Sequence, residues 1–351
     1  MGPLTKIRVG ISWGDPHGVG SECILKAFAA PHMLEHMVPT VYGDAAELRR
    51  QAAFFGIKEL NILGGEELEQ SNLTGLRCVD VVAINKPNWG VADRQAGAVA
   101  RASLERAVED LAAGTIDVLV TSPINKDTIQ GGGFHFPGHT EYLAEAAGAT
   151  DVLMFLVSGN LRVGIVTGHV PIKDVAAAVT ADAIRSKYAL MRASLEQDFG
   201  IDQPRIAVLG LNPHAGDNGL IGEEEKTVIG PVIREFQELG HRVEGPFGAD
   251  GFFGNGTYKG FDGVLAMYHD QGLAPFKSLA FGSGVNFTAG LPWVRSSPDH
   301  GTAFDIAGKN KASGDALRGA CTEAIKIHLN RLNNSVVTAE NAGQMGIKKG
   351  G

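Results

Sequence analysis

The chain has 351 residues, a length that favours two domains over one or three. Hydrophobic residues make up 44% of the chain and charged residues 20%, which excludes disordered and fibrous architectures. The formal net charge is −8 and no long run of Lys or Arg is present, so nucleic acid is not an expected partner. A net-acidic protein can still concentrate a few cationic side chains in one pocket, which leaves small anions as candidate ligands.

The cysteines indicate a reducing compartment. Cys23, Cys78 and Cys321 are odd in number and far apart, which is typical of neither a disulfide framework nor a cysteine metal motif. The first eight residues lack the charged-then-apolar pattern of a secretion signal, and no stretch reaches the ~18 apolar residues of a membrane span. The sequence therefore predicts a cytoplasmic protein with no membrane partner.

Apolar, β-branched runs alternate with longer amphipathic stretches along the chain. Strands are predicted at 7–12, 38–42, 118–121, 152–157, 161–167, 206–211 and 264–268. Helices, with apolar positions three or four residues apart, are predicted at 94–113, 181–198, 223–239 and 315–332. This alternation predicts an α/β fold with two α/β domains and largely parallel sheets.

Three predicted strands end in polar loops that carry a histidine close to the strand end. The histidines are His169 in loop 167–171, His214 in loop 212–217 and His269 in loop 268–272. A lone histidine is more often a surface or structural residue than a ligand, but open α/β sheets bind ligands at the carboxyl ends of their strands. Three neutral imidazoles suit a borderline cation such as Zn²⁺ and leave one coordination position open for substrate. The repeated pattern therefore predicts a catalytic metal site, with Mg²⁺ or Co²⁺ as alternatives to Zn²⁺.

Two stretches carry candidate anion-binding residues. The glycine-rich segment 131–141 contains His139 and Thr140 where a helix is predicted to begin, and helix N-termini attract phosphate. Lys277, Asn286 and Arg295 form a second set, spaced along a glycine-rich stretch with little helical pattern. The alternatives without a ligand are that the first stretch is a flexible connector and that the second carries solvated surface charges.

Two segments are candidates for nucleotide binding. Gly14-Asp-Pro-His-Gly-Val-Gly20 follows a predicted strand, but Cys23 stands where the third glycine of a dinucleotide fingerprint belongs, so that interpretation is weak. The stretch 299–309 has small residues that permit close backbone approach, and Asp305 is placed to accept hydrogen bonds from ribose hydroxyls. Asp305 and the lack of an obvious Arg cluster favour NAD⁺ over NADP⁺.

Together these loops resemble one family, the 4-hydroxythreonine-4-phosphate dehydrogenases of pyridoxal phosphate biosynthesis. The resemblance runs from Gly14 to about Lys311. Its motifs are Gly-Asp-Pro-x-Gly-Val-Gly near the start, Pro-Gly-His-Thr-Glu at 137–141, Asn-Pro-His-Ala-Gly at 212–216 and Met-Tyr-His-Asp-Gln-Gly-Leu at 267–273. The stretch 299–309 is also similar to the coenzyme loop of the isocitrate and isopropylmalate dehydrogenase group. In the first loop, His17 stands where a small residue is commoner and Ser21-Glu22 where Pro-Glu is frequent, which leaves the role of that loop open.

The resemblance implies a role for each matching residue. It implies that a divalent metal is bound by His169, His214 and His269, that the substrate is held by His139, Thr140, Lys277, Asn286 and Arg295, and that NAD is bound by His300, Gly301, Thr302, Ala303 and Asp305. Lys277 is also the candidate for proton transfer, with Asp270 as the rival base or as the residue that orients His269. A homodimer is implied, with metal ligands drawn from both subunits.

The implied reaction is the oxidation of 4-phosphooxy-L-threonine at C3 by NAD⁺, followed by decarboxylation to 3-amino-2-oxopropyl phosphate. The metal would act as a Lewis acid in both halves. A dehydrogenase of threonate or erythronate 4-phosphate is the nearest rival, because no residue settles whether an ammonium group is recognised. Rivals from other classes are a phosphate acyltransferase, which needs neither NAD nor three histidines, and a non-catalytic binding protein.

The related dehydrogenases imply an architecture of two α/β domains around a central cleft. Residues 1–130 and 296–351 are predicted to form one domain, which carries the coenzyme loop. Residues 131–295 are predicted to form the other, which carries the metal and substrate loops.

Overall fold

The computed structural model of the protein describes residues 6–70, 72–84, 86–280 and 282–347, and over 336–347 the backbone alone. The chain folds into two compact units. The first unit contains Met1–Thr150, Gly282–Asn286 and Leu291–Ile325, and the second contains Asp151–Phe281, Phe287–Gly290 and Lys326–Gly351.

The first unit is built on a parallel sheet with the strand order β3-β4-β2-β1-β5-β12. Its strands are β1 (Ile7–Ser12), β2 (Met37–Gly43), β3 (Ile62–Leu63), β4 (Leu76–Asp80), β5 (Val118–Thr121) and β12 (Val294–Pro298). Its helices are α1 (Gly20–Phe28), α2 (Met33–His36), α3 (Ala45–Phe54), α4 (Arg94–Ala112) and α5 (His139–Ala146). The boundary between the units falls within strand β11 (Val285–Ala289) and again within helix α11 (Asp315–Ile347).

Local sequence explains the burial of β5 and the start of α3 and α4. All four residues of β5 are buried, as expected for a central parallel strand covered on both faces. Asp44 accepts a hydrogen bond from the Glu47 backbone N–H and caps α3, and Asp93 caps α4 in the same manner through Gln95. Each carboxylate satisfies a backbone donor that the first turn of a helix leaves without a partner.

Helix α5 belongs to the first unit, which extends to Thr150. Arg101 of α4 donates to the Gly131 carbonyl oxygen over 2.5 Å, and the ring centroids of Phe134 and Tyr142 lie 5.4 Å apart. The first contact attaches the loop before α5 to α4, and the second packs α5 on that loop. The sequence placed its domain crossing at 131–133, and its domain division stays a prediction.

The second unit is built on the strand order β6-β7-β10-β8-β9. Its strands are β6 (Leu153–Ser158), β7 (Leu161–Thr167), β8 (Ile206–Leu209), β9 (Val243–Phe247) and β10 (Gly263–Tyr268). β6 and β7 are antiparallel, and the other pairs are parallel. Its helices are α6 (Val175–Ala178), α7 (Ala181–Gln197), α8 (Gly230–Glu238), α9 (Ala249–Gly254) and α10 (His269–Leu279), with a π-helical turn at Glu225–Ile229 before α8.

The core of the second unit lies between its sheet and its helices. Leu156, Val163, Val264 and Phe276 are among the buried side chains that join β6, β7 and β10 to α10. This packing fixes the carboxyl ends of β7, β8 and β10, which carry the histidine loops.

The predicted fold class is confirmed, since the chain is α/β and most strand pairs are parallel. Predicted strands 7–12, 118–121 and 161–167 are observed with the same bounds, and the other predicted strands differ by one or two residues at one or both ends. Within the described residues, none of the helices combines the length and apolar character needed to cross a membrane.

Candidate active site

His169 and His269 come together at the carboxyl edge of the second unit's sheet. β7 and β10 are parallel neighbours, and their register pairs Thr167 with Tyr268. The hydroxyl of Thr167 donates to the Met267 carbonyl oxygen over 2.8 Å, which ties the two strand ends together. The ring centroids of His169 and His269 consequently lie 6.1 Å apart. The sequence identified both histidines from their positions after strands, and the structure brings them into one neighbourhood.

His214 lies in a left-handed turn at the end of β8. Residues 214–218 all have positive φ, with 52° at His214 and 51° at Ala215. Neither His nor Ala favours this region, and such backbone strain concentrates at functional sites. The buried carboxylate of Glu225 stabilises the start of the turn, because its Oε1 accepts from the backbone N–H groups of Leu211 and Asn212 over 2.7 Å each.

A cavity of about 510 Å³ opens beside this turn. His214, Asp250, Phe253, Tyr268, Gln271 and five further residues line it. Gln271 connects the ends of two strands, since its Nε2 donates to the Gly210 carbonyl oxygen and its Oε1 accepts from the Met267 N–H. Sequence patterns did not single out Asp250, because only the packing of α9 beside the His214 turn reveals it.

The predicted metal ligands are only partly brought together. Two imidazoles, those of His169 and His269, are neighbours, and imidazole is a suitable ligand for Zn²⁺ and Co²⁺. Across the described residues, no group of three or more His, Cys, Asp or Glu side chains is arranged to hold a metal ion. Two of the three predicted ligands are therefore neighbours, and the metal site stays a prediction.

Helix α10 carries the two candidates for proton transfer. Asp270 Oδ1 lies 2.6 Å from His269 Nδ1, so this carboxylate fixes the orientation of the ring and leaves Nε2 to face a ligand. Lys277 is exposed in the last turn of the same helix.

The first unit brings another part of the predicted site together. α5 begins at His139, one residue before the predicted start, and Arg295 lies on β12, beside β5. Arg295 donates from Nε and Nη2 to Thr121 Oγ1, over 3.1 and 2.5 Å. Burial lowers the pKa of its guanidinium to about 10, and the Glu141 carboxylate opposes that change. The side chain is therefore a buried cation at neutral pH.

His139 lies close to this buried cation. Its Nε2 is buried and has no hydrogen-bond partner among the described residues, and the same holds for Asn286 Oδ1. Burial, followed by the positive charges of Arg295 and Lys126, lowers the pKa of His139 well below its ordinary value. A buried guanidinium is suited to an anionic group, and an amide oxygen without a partner is suited to a hydrogen-bond donor. Lys126 was not identified from the sequence as a site residue.

The predicted coenzyme loop packs on the first loop of the chain. Val19 donates its backbone N–H to the Thr302 carbonyl oxygen over 3.0 Å, and a Cβ added at Gly18 would lie 2.8 Å from that oxygen. The buried carboxylate of Glu22 accepts from the Ala312 N–H, just beyond the coenzyme loop, over 2.8 Å. His300 Nε2 is buried without a partner among the described residues. The loop at 14–20 thus supports the candidate coenzyme loop.

Comparison with known proteins identifies the family. The sequence profile described as pyridoxal phosphate biosynthetic protein PdxA matches residues 35–324. The chain belongs to this family. A 4-hydroxythreonine-4-phosphate dehydrogenase of Bacteroides thetaiotaomicron is 49% identical over 332 residues, which cover 93% of this chain and 90% of that protein. The family predicted from the sequence motifs is therefore confirmed.

Solved structures of the PdxA family share the fold. The 4-hydroxythreonine-4-phosphate dehydrogenase of Klebsiella pneumoniae has a TM-score of 0.78 at 33% identity, covering 93% of this chain and 99% of that one. The enzyme of the same name from Burkholderia phymatum has a TM-score of 0.75 at 38% identity, covering 92% and 98%. The relatives are named dehydrogenases, so this PdxA-family chain is an oxidoreductase.

Proposed function

We propose that the protein oxidises 4-phosphooxy-L-threonine at C3 with NAD⁺ and releases CO₂, forming 3-amino-2-oxopropyl phosphate for pyridoxal 5'-phosphate biosynthesis. The observation that carries the proposal is the buried guanidinium of Arg295 within electrostatic reach of a neutral His139, whose Nε2 has no partner among the described residues, in a chain whose net charge is −8. Such a buried cation selects an anionic ligand. The 49% identical relative bears the name of an enzyme whose substrate has this chemistry.

His139, Thr140, Asn286 and Arg295, together with Lys277, are proposed to hold the substrate. Arg295 supplies a fixed positive charge because Thr121 anchors its guanidinium. His139 remains neutral at pH 7, so its ring exchanges hydrogen bonds with the ligand without adding charge.

A divalent metal, Zn²⁺ with Mg²⁺ or Co²⁺ as alternatives, is proposed to be held by His169, His214 and His269, with ligands drawn from two subunits. The bound ion would supply Lewis-acid polarisation of the C3 oxygen during oxidation and decarboxylation. Asp270 holds the His269 ring through the 2.6 Å contact at Nδ1, which favours one tautomer. The third imidazole, that of His214, belongs to the strained turn at 214–218.

Lys277 is proposed to take the proton of the C3 hydroxyl. It lies two turns after His269 on α10 and is exposed, so it can exchange protons with water between turnovers. Asp270 is the rival base, but its contact with His269 supports the orienting role instead. NAD⁺ is proposed to bind at His300, Gly301, Thr302, Ala303 and Asp305 and to accept the hydride.

A cytoplasmic homodimer is proposed as the working form. The loops that carry His169 and His214 continue into exposed apolar side chains, 75% exposed at Ile172 and 81% at Leu220. Burial of these two side chains against a second copy would stabilise a dimer. Covering the loops in this way would also bring the histidines of two chains to a shared site.

The test is steady-state kinetics on a panel of C4-phosphorylated acids, in which NADH formation is measured by its absorbance at about 340 nm. We expect turnover of 4-phosphooxy-L-threonine, and loss of turnover after chelator treatment that added metal reverses. Preferred turnover of threonate or erythronate 4-phosphate would replace the substrate in the proposal. Acyl transfer to phosphate, with no NADH from any acid on the panel, would contradict the proposal as a whole.

A further inference from the structure

Lys126 is held at the carboxyl edge of the first unit's sheet by a structured loop. The Asn125 side chain accepts hydrogen bonds from the backbone N–H groups of Asp127 and Thr128, over 3.0 Å each. Asp15 donates its backbone N–H to the Pro123 carbonyl oxygen over 2.9 Å, which anchors the start of the loop. This Asx turn fixes the backbone at Lys126 and leaves the side chain exposed.

The Lys126 side chain lies beside the start of α5. A Cβ built on Gly138, the residue before His139, would lie 3.8 Å from Lys126 Cε and 3.5 Å from Glu141 Oε2. Within the part of the chain that the structure describes, Lys126 makes no hydrogen bond or ion pair. Its ammonium group is close enough to His139 to act on the ring electrostatically, as Arg295 also does.

The negative charge of a phosphate monoester exceeds the positive charge that Arg295 and His139 provide. A phosphate monoester carries about −1.5 to −2 at pH 7, whereas a carboxylate carries one charge. Arg295 is one cation, and Glu141 acts on it with the opposite charge. His139 is neutral at this pH. Arg295 and His139 alone therefore present less positive charge than a phosphate monoester needs, and Lys126 is a further cation beside them in the first unit.

We propose that Lys126 is a further substrate-binding residue, which contacts the phosphate of the substrate together with Arg295 and His139. The proposal rests on the proposed function for the identity of the substrate. Whatever the substrate, the Lys126 ammonium group supplies a positive charge beside that of Arg295, which a phosphate monoester at this pocket requires. A carboxylate would need Lys126 far less.

The experiment compares Lys126→Ala and Lys126→Arg with the wild-type protein and with Lys58→Ala, a matched loss of one exposed lysine in the first unit. Binding of inorganic phosphate is measured by titration calorimetry. KM and kcat are measured with 4-phosphooxy-L-threonine and with 4-hydroxythreonine, which lacks the phosphate.

We expect Lys126→Ala to weaken phosphate binding and to raise KM for the phosphorylated substrate about 10- to 100-fold, the range for a lost charged hydrogen bond. Lys126→Arg should retain most of the binding, and Lys58→Ala should match the wild type. KM for 4-hydroxythreonine should not change. Wild-type phosphate affinity in Lys126→Ala, or equal losses with both substrates, would overturn the proposal. Failure of the wild type to oxidise either substrate would count against the proposed function, while the phosphate titration would still test Lys126.

Discussion

Arg295 and Thr121 form a buried pair in which one hydroxyl oxygen accepts from two guanidinium nitrogens, over 3.1 and 2.5 Å. They are neighbours because β5 and β12 are parallel with Arg295 opposite Leu119. Arg295 is only 3% exposed, and a buried cation is costly unless it is hydrogen-bonded and used. The pair therefore fixes one edge of the guanidinium beside Thr121, at the carboxyl end of β5, where a parallel sheet binds its ligand.

Replacement of Arg295 by Lys tests this arrangement. Lys keeps the charge but loses the planar fork, so we expect kcat/KM for the phosphorylated substrate to fall about 10- to 100-fold. Thr121→Val should lower kcat/KM less, mainly by raising KM, because it removes only the hydroxyl that accepts the hydrogen bonds of the Arg295 guanidinium. Arg106→Lys, which alters a partly exposed ion pair on α4, is the control and should stay near wild-type activity. Unchanged kcat/KM in Arg295→Lys would show that the guanidinium does not bind the substrate.

A pH effect follows from His139. Burial, and then the charges of Arg295 and Lys126, lower its pKa in the folded chain well below 6.5. Below pH 6.5 the unfolded chain binds a proton at His139 that the folded chain does not bind. His139 therefore does not lower the free energy of unfolding above pH 6.5, and lowers it increasingly as the pH falls below 6.5.

Urea unfolding of wild type and His139→Asn at about pH 8 and about pH 5.5 measures this contribution. The wild type should lose on the order of 1 kcal/mol more stability than the variant between the two values. The double difference isolates His139 from the other titrating groups. Equal losses in both proteins would mean that the ring takes up a proton as readily in the folded chain as in the unfolded one.

Much of the fold could be predicted because the central strands are buried on both faces. β5 and the buried parts of β1 and β7 are runs of mostly apolar residues, and a parallel strand with both faces covered requires such a run. β9, with the sequence Val-Glu-Gly-Pro-Phe, lies at the edge of the second unit's sheet and has no such pattern. β12 is buried but contains Arg295 and two serines, so its sequence resembles that of a loop.

The candidate site could be predicted only in part, because some of its residues follow a local sequence pattern and others are brought to it only by tertiary packing. The three histidines follow strand ends, a relationship that is local in sequence. Asp250 and Lys126 become site residues only when tertiary packing places them beside His214 and His139. The contact of Val19 with Thr302 joins residues that are far apart in sequence, and no periodicity encodes such a contact.

The roles of Asp270 and Lys277 can be separated by metal titration. Asp270→Asn weakens the orientation of His269, so we expect it to need about 10- to 100-fold more metal for half-maximal activity, with kcat recovered at saturation. Lys277→Ala should lose kcat that saturating metal does not restore. Asp202→Asn, an exposed acid of the second unit, is the control. Near-wild-type kcat in Lys277→Ala would contradict its role in proton transfer, and a kcat loss confined to Asp270→Asn would transfer that role to Asp270.

The support of the coenzyme loop by the first loop is tested at Gly18. A Cβ at this position would lie 2.8 Å from the Thr302 carbonyl oxygen, so Gly18→Ala must displace the coenzyme loop or the first loop. We expect KM for NAD⁺ to rise roughly tenfold, while KM for the phosphorylated substrate changes little. Gly319→Ala, where the nearest atom outside the helix would be 3.6 Å away, is the control. An equal rise in both KM values would indicate general misfolding of the first unit.

The proposed homodimer is tested at Leu220, an 81% exposed apolar side chain that follows the His214 turn. Leu220→Asp places a charge where the second copy is proposed to pack, so the sedimentation coefficient should change from that of a dimer to that of a monomer. Activity should fall with dimer content, because the metal ligands are proposed to come from both chains. Leu239→Asp, at a 66% exposed leucine after α8, is the matched control and should stay dimeric and active. A dimeric Leu220→Asp protein would exclude this surface from the interface, whereas a fully active monomer would remove the need for ligands from two subunits and require His169, His214 and His269 to meet within one chain.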